Sequence, residues 1–132
     1  MDKKSLVIGI GDYNHFSHLD NCINDANDIH SFLLESGFES TLIINATQKD
    51  LIASIAAFKD SVAENTISVI FFAGHGLQDD KHNFLVAADS EVKSTIDIKY
   101  NCVHADDLFI TKSKANLHLI ILDACRNNPF ND

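Results

Sequence analysis

Leu117 to Pro129 reads LHLIILDACRNNP, an apolar run that leads into a single cysteine and a polar turn. Because the run has no polar face, residues 117–122 are predicted to form a buried strand of a parallel sheet and not an amphipathic helix. Cys125 would then lie just past the carboxyl end of this strand. A thiol at the end of a strand indicates a functional site at this edge of the sheet. A residue that acts together with the thiol should then follow the end of another strand.

A second apolar stretch, ISVIFFA at residues 67–73, runs directly into Gly74-His75-Gly76. The two glycines allow unusual backbone angles and the close approach of a ligand to His75. In open α/β sheets the ligand crevice lies outside the carboxyl ends of the strands, so His75 and Cys125 on neighbouring strands would meet there. This placement indicates a thiol nucleophile with its base.

Length and composition exclude several classes of protein. A chain of 132 residues fits one domain, spanning 1–132, and its 45% hydrophobic content favours a folded core. The formal net charge of −9 argues against a nucleic acid partner, which needs basic patches. No apolar stretch reaches the length of a membrane span. Three cysteines at unrelated spacings favour free thiols in a reducing compartment, and we expect a cytoplasmic protein.

The order of predicted elements favours an α/β fold. Apolar periodicity predicts a β-α-β-α-β series, in which the strands cover residues 5–10, 41–44 and 67–73 and the helices cover residues 21–36 and 47 to about 63. A less regular region follows, with a short strand or hairpin at 84–87 and a short helix opened by Asp106. Gly9-Ile10-Gly11 lacks the third glycine of a dinucleotide fingerprint, so nucleotide binding is discounted.

Two motifs carry a family resemblance. Ala73–Gly76 and Asp123–Pro129 resemble the histidine and cysteine motifs of caspase-like cysteine peptidases of the peptidase C14 type, particularly bacterial metacaspases and paracaspases, and the separation of 50 residues between histidine and cysteine fits. Asn21–Ala26 and Leu85–Asp89 also look like the large, p20-type subunit. The resemblance covers nearly the whole chain and implies a three-layer α/β/α sandwich with a mostly parallel sheet, lacking its C-terminal p10-type strands.

The resemblance implies roles for three residues of the two motifs. Cys125 would be the nucleophile, His75 would transfer the proton, and the backbone N–H groups of Gly76 and Cys125 would stabilise the oxyanion. This chemistry requires no cofactor. Cys102 is a poor rival nucleophile, because it follows neither a strand end nor a glycine-rich histidine loop. No pair of residues around His75 shows zinc-ligand spacing, and His75 with His82 is too loose a signal. The other histidines are given no function, and packing would explain His118.

Substrate preference follows from the acidic residues. The resemblance implies that Cys22, Asp25 and Asp123 form the pocket for a basic side chain, so the expected partner is a protein or peptide with Arg or Lys at the cleaved position. Asp25 could instead cap the start of a helix. Asp123 is harder to explain structurally, because a carboxylate ending an apolar strand carries a desolvation cost. Arg126 is the only arginine, which argues against recognition of aspartate substrates.

A calcium site is a further implication of the resemblance. Asp89, Asp106, Asp107 and Asp132 are placed around the two motifs like the calcium-binding acidic residues of many metacaspases, and carboxylate oxygens suit that ion. The alternative, that Asp106 and Asp107 merely open a short helix, remains open.

Three functional hypotheses remain at this point. The first is a cysteine endopeptidase that cleaves after Arg or Lys through an acyl-enzyme. The second is a non-catalytic caspase-like interaction module, and the third is an unrelated α/β thiol hydrolase. Because the strand at residues 117–122 would be an apolar sheet edge, a p10-type segment or a second subunit is expected to pair with it.

Overall fold

The computed structural model describes residues 1–110, 117–124 and 126–127, with only the backbone for the last two. In chain order the elements are β1 (Asp2–Gly9), α1 (Cys22–Glu35), β2 (Glu39–Ile44), α2 (Gln48–Ser61), β3 (Thr66–Ala73), β4 (Gly76–Asp79), β5 (His82–Leu85), α3 (Thr95–Asn101), β6 (Val103–His104), a 3-10 helix (Ala105–Leu108), β7 (Leu117–Asp123) and β8 (Arg126–Asn127).

The main sheet has the strand order β2-β1-β3-β7, and all its pairs are parallel. Two sheet faces need two covering layers, because alternate residues of a strand point to opposite sides. Helix α2 packs on one face with a buried cluster that includes Leu6, Ile8, Ile70, Phe72, Leu51, Ile55 and Phe58. Helix α1 packs on the other face with Val7, Val69, Phe71, Ala73, Ala26 and Leu33. The predicted three-layer α/β/α arrangement with a mostly parallel sheet is confirmed.

A second, smaller sheet has the order β6-β5-β4-β8, in which β4 and β8 are parallel and the other pairs antiparallel. Helix α3 packs against this sheet through Ile98 in a cluster with Leu77 and Phe84. The sequence reading missed α3, although Ser94 and Asp97 form a capping box at its start. No helix among the described residues is long and apolar enough to cross a membrane.

The prediction that residues 117–122 form a fully buried strand is wrong in one respect. β7 is a strand at the described edge of the main sheet, and its side chains alternate between exposed and partly buried. Leu117, Leu119 and Ile121 are 57%, 47% and 40% exposed. They lie on the face of the sheet that α1 covers, but α1 packs on other strands of that face and leaves β7 uncovered. When a strand has aliphatic residues on both faces, its sequence does not reveal whether each face is covered by another layer of the fold.

Other boundaries differ by a few residues. β1 begins at Asp2 and not at Ser5, because its first residues pair with the start of β3. α2 ends at Ser61, slightly before the predicted end, and its predicted cap at Thr47 is confirmed by a bond from the Asp50 N–H. Packing alone does not account for His118, because its ring hydrogen-bonds the Ser68 hydroxyl and the Leu108 carbonyl.

Leu51 and Ile52 are neighbours on α2 that differ in exposure, so substituting each of them tests which face of α2 packs on the sheet. Leu51 is fully buried against the main sheet, whereas Ile52 is 50% exposed. We expect Leu51→Ala to lower the free energy of unfolding by about 2–5 kcal/mol through the lost contacts and the cavity left behind. Ile52→Ala should change it by no more than about 0.5 kcal/mol. Urea denaturation of both variants tests this, and equal losses would contradict the assigned orientation of α2.

Candidate active site

His75 lies in the connection between β3 and β4, where the chain passes from the main sheet to the small one. Its Nε2 is 2.8 Å from the Ser17 carbonyl oxygen, and its ring packs edge-on against Tyr13 and beside Phe16. The His75 carbonyl accepts the Val86 N–H at 3.0 Å, which ties the loop to the end of β5. The ring is therefore held by contacts from two directions.

The Ser17 carbonyl fixes the tautomer of a neutral His75. A carbonyl oxygen can only accept a hydrogen bond, so Nε2 must carry the proton. The other nitrogen, Nδ1, then holds a free lone pair, and it has no hydrogen-bond partner among the described residues. An imidazole arranged in this way can accept a proton at Nδ1 and return it, as a general base and acid must.

Tyr13 fixes the backbone of the same loop. The His75 N–H donates a hydrogen bond to the Tyr13 hydroxyl at 2.8 Å, and burial raises the pKa of Tyr13, so that the hydroxyl stays neutral. Gly74 makes this approach possible. A Cβ atom at residue 74 would lie 2.6 Å from the Tyr13 hydroxyl and 2.9 Å from the Phe72 ring, so any larger residue would push the loop away.

The two tyrosines of the chain form a matched pair for testing this contact. Tyr13→Phe leaves the His75 N–H without its acceptor, and we expect the free energy of unfolding to fall by about 1–3 kcal/mol. Tyr100 is 65% exposed, so Tyr100→Phe should have almost no effect. Thermal or urea denaturation of the two variants measures the difference. If both variants match the parent protein, the Tyr13 hydroxyl does not support the loop.

The loop between β1 and α1 presents the Ser17 carbonyl and is itself hydrogen-bonded to its surroundings. The Asn45 side chain accepts the backbone N–H groups of Gly11 and Asp12 at 2.9 and 3.1 Å and donates to the Asp12 carboxylate. The Asn14 N–H donates to the Ala88 carbonyl at 2.9 Å. The loop is thus anchored at its start and in its middle.

Two registers connect the histidine segment to the cysteine segment. Ala73 is paired with Asp123 at the ends of β3 and β7, and Gly76 is paired with Arg126 at the starts of β4 and β8. Both pairs belong to parallel strands, and in each pair the two partners are the same number of residues apart in the sequence. Cys125, the predicted nucleophile, lies outside the described residues, but Asp123 before it and Arg126 after it pair with Ala73 before His75 and Gly76 after it.

The predicted substrate-pocket residues Cys22, Asp25 and Asp123 are brought near one another. The pKa of the Cys22 thiol is raised mainly by burial, and further by the negative charges of Asp123 and Asp25. Both carboxylates therefore lie close enough to Cys22 to disfavour its thiolate. Within the described residues neither aspartate forms an ion pair. Asp25 is not the helix cap that the alternative required, because that position belongs to Asn21.

A close contact between α1 and β1 positions this cluster. A Cβ atom at Gly9 would lie 2.6 Å from the Ala26 Cβ and 3.1 Å from the Cys22 carbonyl oxygen. Only glycine allows the first turn of α1 to pack so closely on the end of β1. That contact fixes Cys22 and Asp25 at the same sheet edge as Asp123.

Cys102 is structural in character. It is 4% exposed, and burial raises the pKa of its thiol to about 11. At neutral pH this thiol is protonated and a poor nucleophile, as expected from its position in the sequence.

The acidic residues predicted for calcium are dispersed over several elements. Asp89 accepts the N–H of Gln48, the first residue of α2, at 2.8 Å, while Asp106 and Asp107 lie in the 3-10 helix. Asp132 is outside the described residues. In the described part of the chain, the one group of three side chains with ligand atoms in reach of a single ion is His82, His104 and Asp106.

Sequence reasoning missed Ser17 and Tyr13. Ser17 acts through its backbone carbonyl, which has no residue signature. Tyr13 could have been noticed as an aromatic residue in a loop predicted to face the crevice, but nothing in the sequence indicates its bond to His75.

The fold and the histidine loop together define an α/β protein of caspase type. The family profile described as the caspase domain, peptidase C14, matches residues 2–132, and the chain belongs to this family of cysteine peptidases. Among solved structures it is similar to protein GSU0716 from Geobacter sulfurreducens, with a TM-score of 0.72 and 19% identity over 95% of this chain and 51% of that one. The chain therefore spans about half the length of that protein, and the likeness concerns the fold. No curated protein matches it significantly.

Proposed function

We propose that this chain carries the catalytic dyad of a cysteine endopeptidase, with Cys125 as nucleophile and His75 as its base, and that it cleaves after Arg or Lys. The observation that carries this proposal is the pairing of the two segments that flank His75 and residue 125. The free Nδ1 lone pair of His75 supplies the base, and the raised pKa values of Cys22 and Cys102 leave Cys125 as the thiol suited to attack.

The proposed reaction follows acyl transfer. Nδ1 of His75 takes the thiol proton while Nε2–H remains bonded to the Ser17 carbonyl, and the Cys125 thiolate attacks the carbonyl carbon of the scissile bond. The N–H groups of Gly76 and Cys125 are proposed to stabilise the resulting oxyanion. As the C–N bond breaks, Nδ1–H donates the proton to the departing amine. Water then hydrolyses the thioester, and the histidine again accepts and returns the proton.

The preference for a basic substrate is supported by the charges at the same edge of the sheet. The carboxylates of Asp25 and Asp123 both raise the pKa of the Cys22 thiol, and neither forms an ion pair with a cationic side chain among the described residues. A guanidinium or ammonium group from the substrate would neutralise them, and the planar fork of arginine can bind carboxylates in pairs. Calcium binding by Asp89, Asp106, Asp107 and Asp132 remains a separate proposal.

A library of fluorogenic peptides that differ only at the cleaved position tests this function. We expect turnover of Arg and Lys peptides, with none after Asp or after neutral residues. Cleavage after Asp would contradict the acidic pocket. Hydrolysis of small esters without peptide preference would favour an unrelated thiol hydrolase, and a folded protein without turnover would favour an interaction module.

We also propose that a p10-type segment or a second subunit covers β7 in the working enzyme. The support is the exposed apolar face of Leu117, Leu119 and Ile121 on the described edge strand. If residues that complete the sheet also complete the substrate pocket, a longer form should exceed residues 1–132 in kcat/KM by about 10²-fold. Sedimentation and cleavage of an Arg peptide by both forms measure this. Equal activity from a monodisperse monomer of residues 1–132 would refute the proposal.

A further inference from the structure

A group of side chains that can bind a metal lies on the small sheet, at the start of β5. This is the opposite end of β5 from Leu85, which pairs with Gly76 beside the histidine loop. His82 begins β5, His104 ends β6, and Asp106 lies in the 3-10 helix that follows. One potential ligand atom from each residue lies within 4.8 Å of the other two. His82 and Asp106 are exposed and His104 is partly buried, so an ion could reach the group from solvent.

The strand register explains why these residues meet. In the antiparallel pair of β5 and β6, Phe84 is paired with His104. Directly paired residues project to the same face, and so do residues two apart on one strand. His82 therefore shares the face of Phe84 and His104, and Asp106 follows His104 by two residues in the 3-10 helix. The sheet thus brings His82 to His104, and the turn into the 3-10 helix adds Asp106.

The His104 ring is oriented before any ion binds. It packs edge-on against Phe84 and His82, with ring centroids 4.9 and 5.0 Å away. Its Nδ1 accepts the backbone N–H of Asp106 at 3.0 Å, so this nitrogen carries a lone pair and is directed towards the aspartate. A metal ion requires an unprotonated ring nitrogen of this kind.

The gap between His104 and Asp106 is close to the size that a shared ion needs. His104 Nδ1 lies 3.8 Å from the nearer Asp106 carboxylate oxygen, which is too long for a hydrogen bond. Two ligands of a tetrahedral zinc ion, each about 2.0–2.1 Å from the metal, are about 3.3 Å apart. For Nδ1 to coordinate an ion, its lone pair must exchange the Asp106 N–H for the metal, and rotation of the two side chains must shorten the 3.8 Å separation.

We propose that His82, His104 and Asp106 bind a divalent transition-metal ion, with Zn²⁺ as the expected occupant. Two imidazoles and one carboxylate suit zinc, whereas calcium prefers oxygen ligands throughout. The ion would connect β5, β6 and the 3-10 helix. Because β4 pairs with β5 and begins directly after His75, bound zinc would stiffen the small sheet that supports the histidine loop.

Calorimetric titration with zinc chloride, after removal of metals with a chelator, tests the site. Every protein in the comparison should carry Cys125→Ser, which removes the proposed thiol and imidazole pair as a competing zinc site. We expect zinc binding that His82→Gln and Asp106→Asn each weaken at least tenfold, together with a rise in unfolding temperature on zinc addition that both variants lose. His15→Gln is the control, because His15 also lies beside a carboxylate, 3.3 Å from Glu91.

Two results would overturn this inference. The first is zinc affinity that is absent in the parent protein or unchanged in His82→Gln, because His82 is exposed and its replacement should not disturb folding. The second is binding of calcium, but not zinc, that depends on Asp106 and not on His82, which would assign Asp106 to an all-oxygen site. Neither result bears on peptide cleavage, so this inference can fail while the proposed peptidase activity stands.

Discussion

Replacing Cys125 with alanine is expected to reduce kcat/KM for an Arg peptide by about 10³-fold or more, and His75→Ala should reduce it to a similar degree. The thiolate needs the imidazole to take its proton, and the departing amine needs the same imidazole to return one. The two losses should therefore not add in the double variant. Initial rates at low substrate concentration measure all three proteins.

A serine replacement at one of the other cysteines provides the matched control. Cys102 is buried away from the proposed chemistry, and Cys102→Ser should retain most of the activity once its folding has been verified by circular dichroism. Substantial cleavage by Cys125→Ala would refute the nucleophile assignment. Full additivity of the Cys125 and His75 losses would indicate that the two residues do not act in the same step.

The pair of variants Asp25→Asn and Asp123→Asn should produce the second largest effect. Each is expected to lower kcat/KM for Arg peptides by about tenfold or more, and the double variant by about 10²-fold or more, because the substrate cation loses its charged partners. Activity towards peptides with a neutral residue at the cleaved position should not fall. The measured quantity is the ratio of kcat/KM for the Arg peptide to that for a matched Gln peptide.

Asp28 supplies the control for this experiment, because it lies on the same helix as Asp25 but is exposed. Asp28→Asn removes one negative charge and should leave the ratio almost unchanged. If Asp28→Asn lowers the ratio as much as Asp25→Asn does, the preference reflects the overall negative charge of the protein and not a pocket.

The helices and strands of the main sheet could be predicted because their burial follows a period. Leu51, Ile55 and Phe58 recur on one face of α2, and all three are buried as that spacing predicts; Val62, just past the helix, is buried as well. Gly74-His75-Gly76 follows β3 directly, so the position of His75 at the sheet edge could be predicted as well. Both predictions rest on information contained within a few neighbouring residues.

The features that the sequence did not reveal depend on distant partners. Ser17 binds His75 from a residue 58 positions away and through a backbone atom, which any residue type could supply. The exposed face of β7 depends on which layer covers it, and the residue types of β7 carry no information on that point. His82 meets His104 and Asp106 through the antiparallel register of β5 and β6, although 22 residues separate it from His104 in the sequence.

Covalent labelling tests the central claim most directly. A short peptide ending in arginine and carrying a cysteine-reactive warhead should modify Cys125 alone, as located by mass spectrometry of the digested protein. The label should be absent from His75→Ala and should decrease when an Arg peptide substrate competes. Modification of Cys22 or Cys102 with Cys125 left free would contradict the proposed dyad.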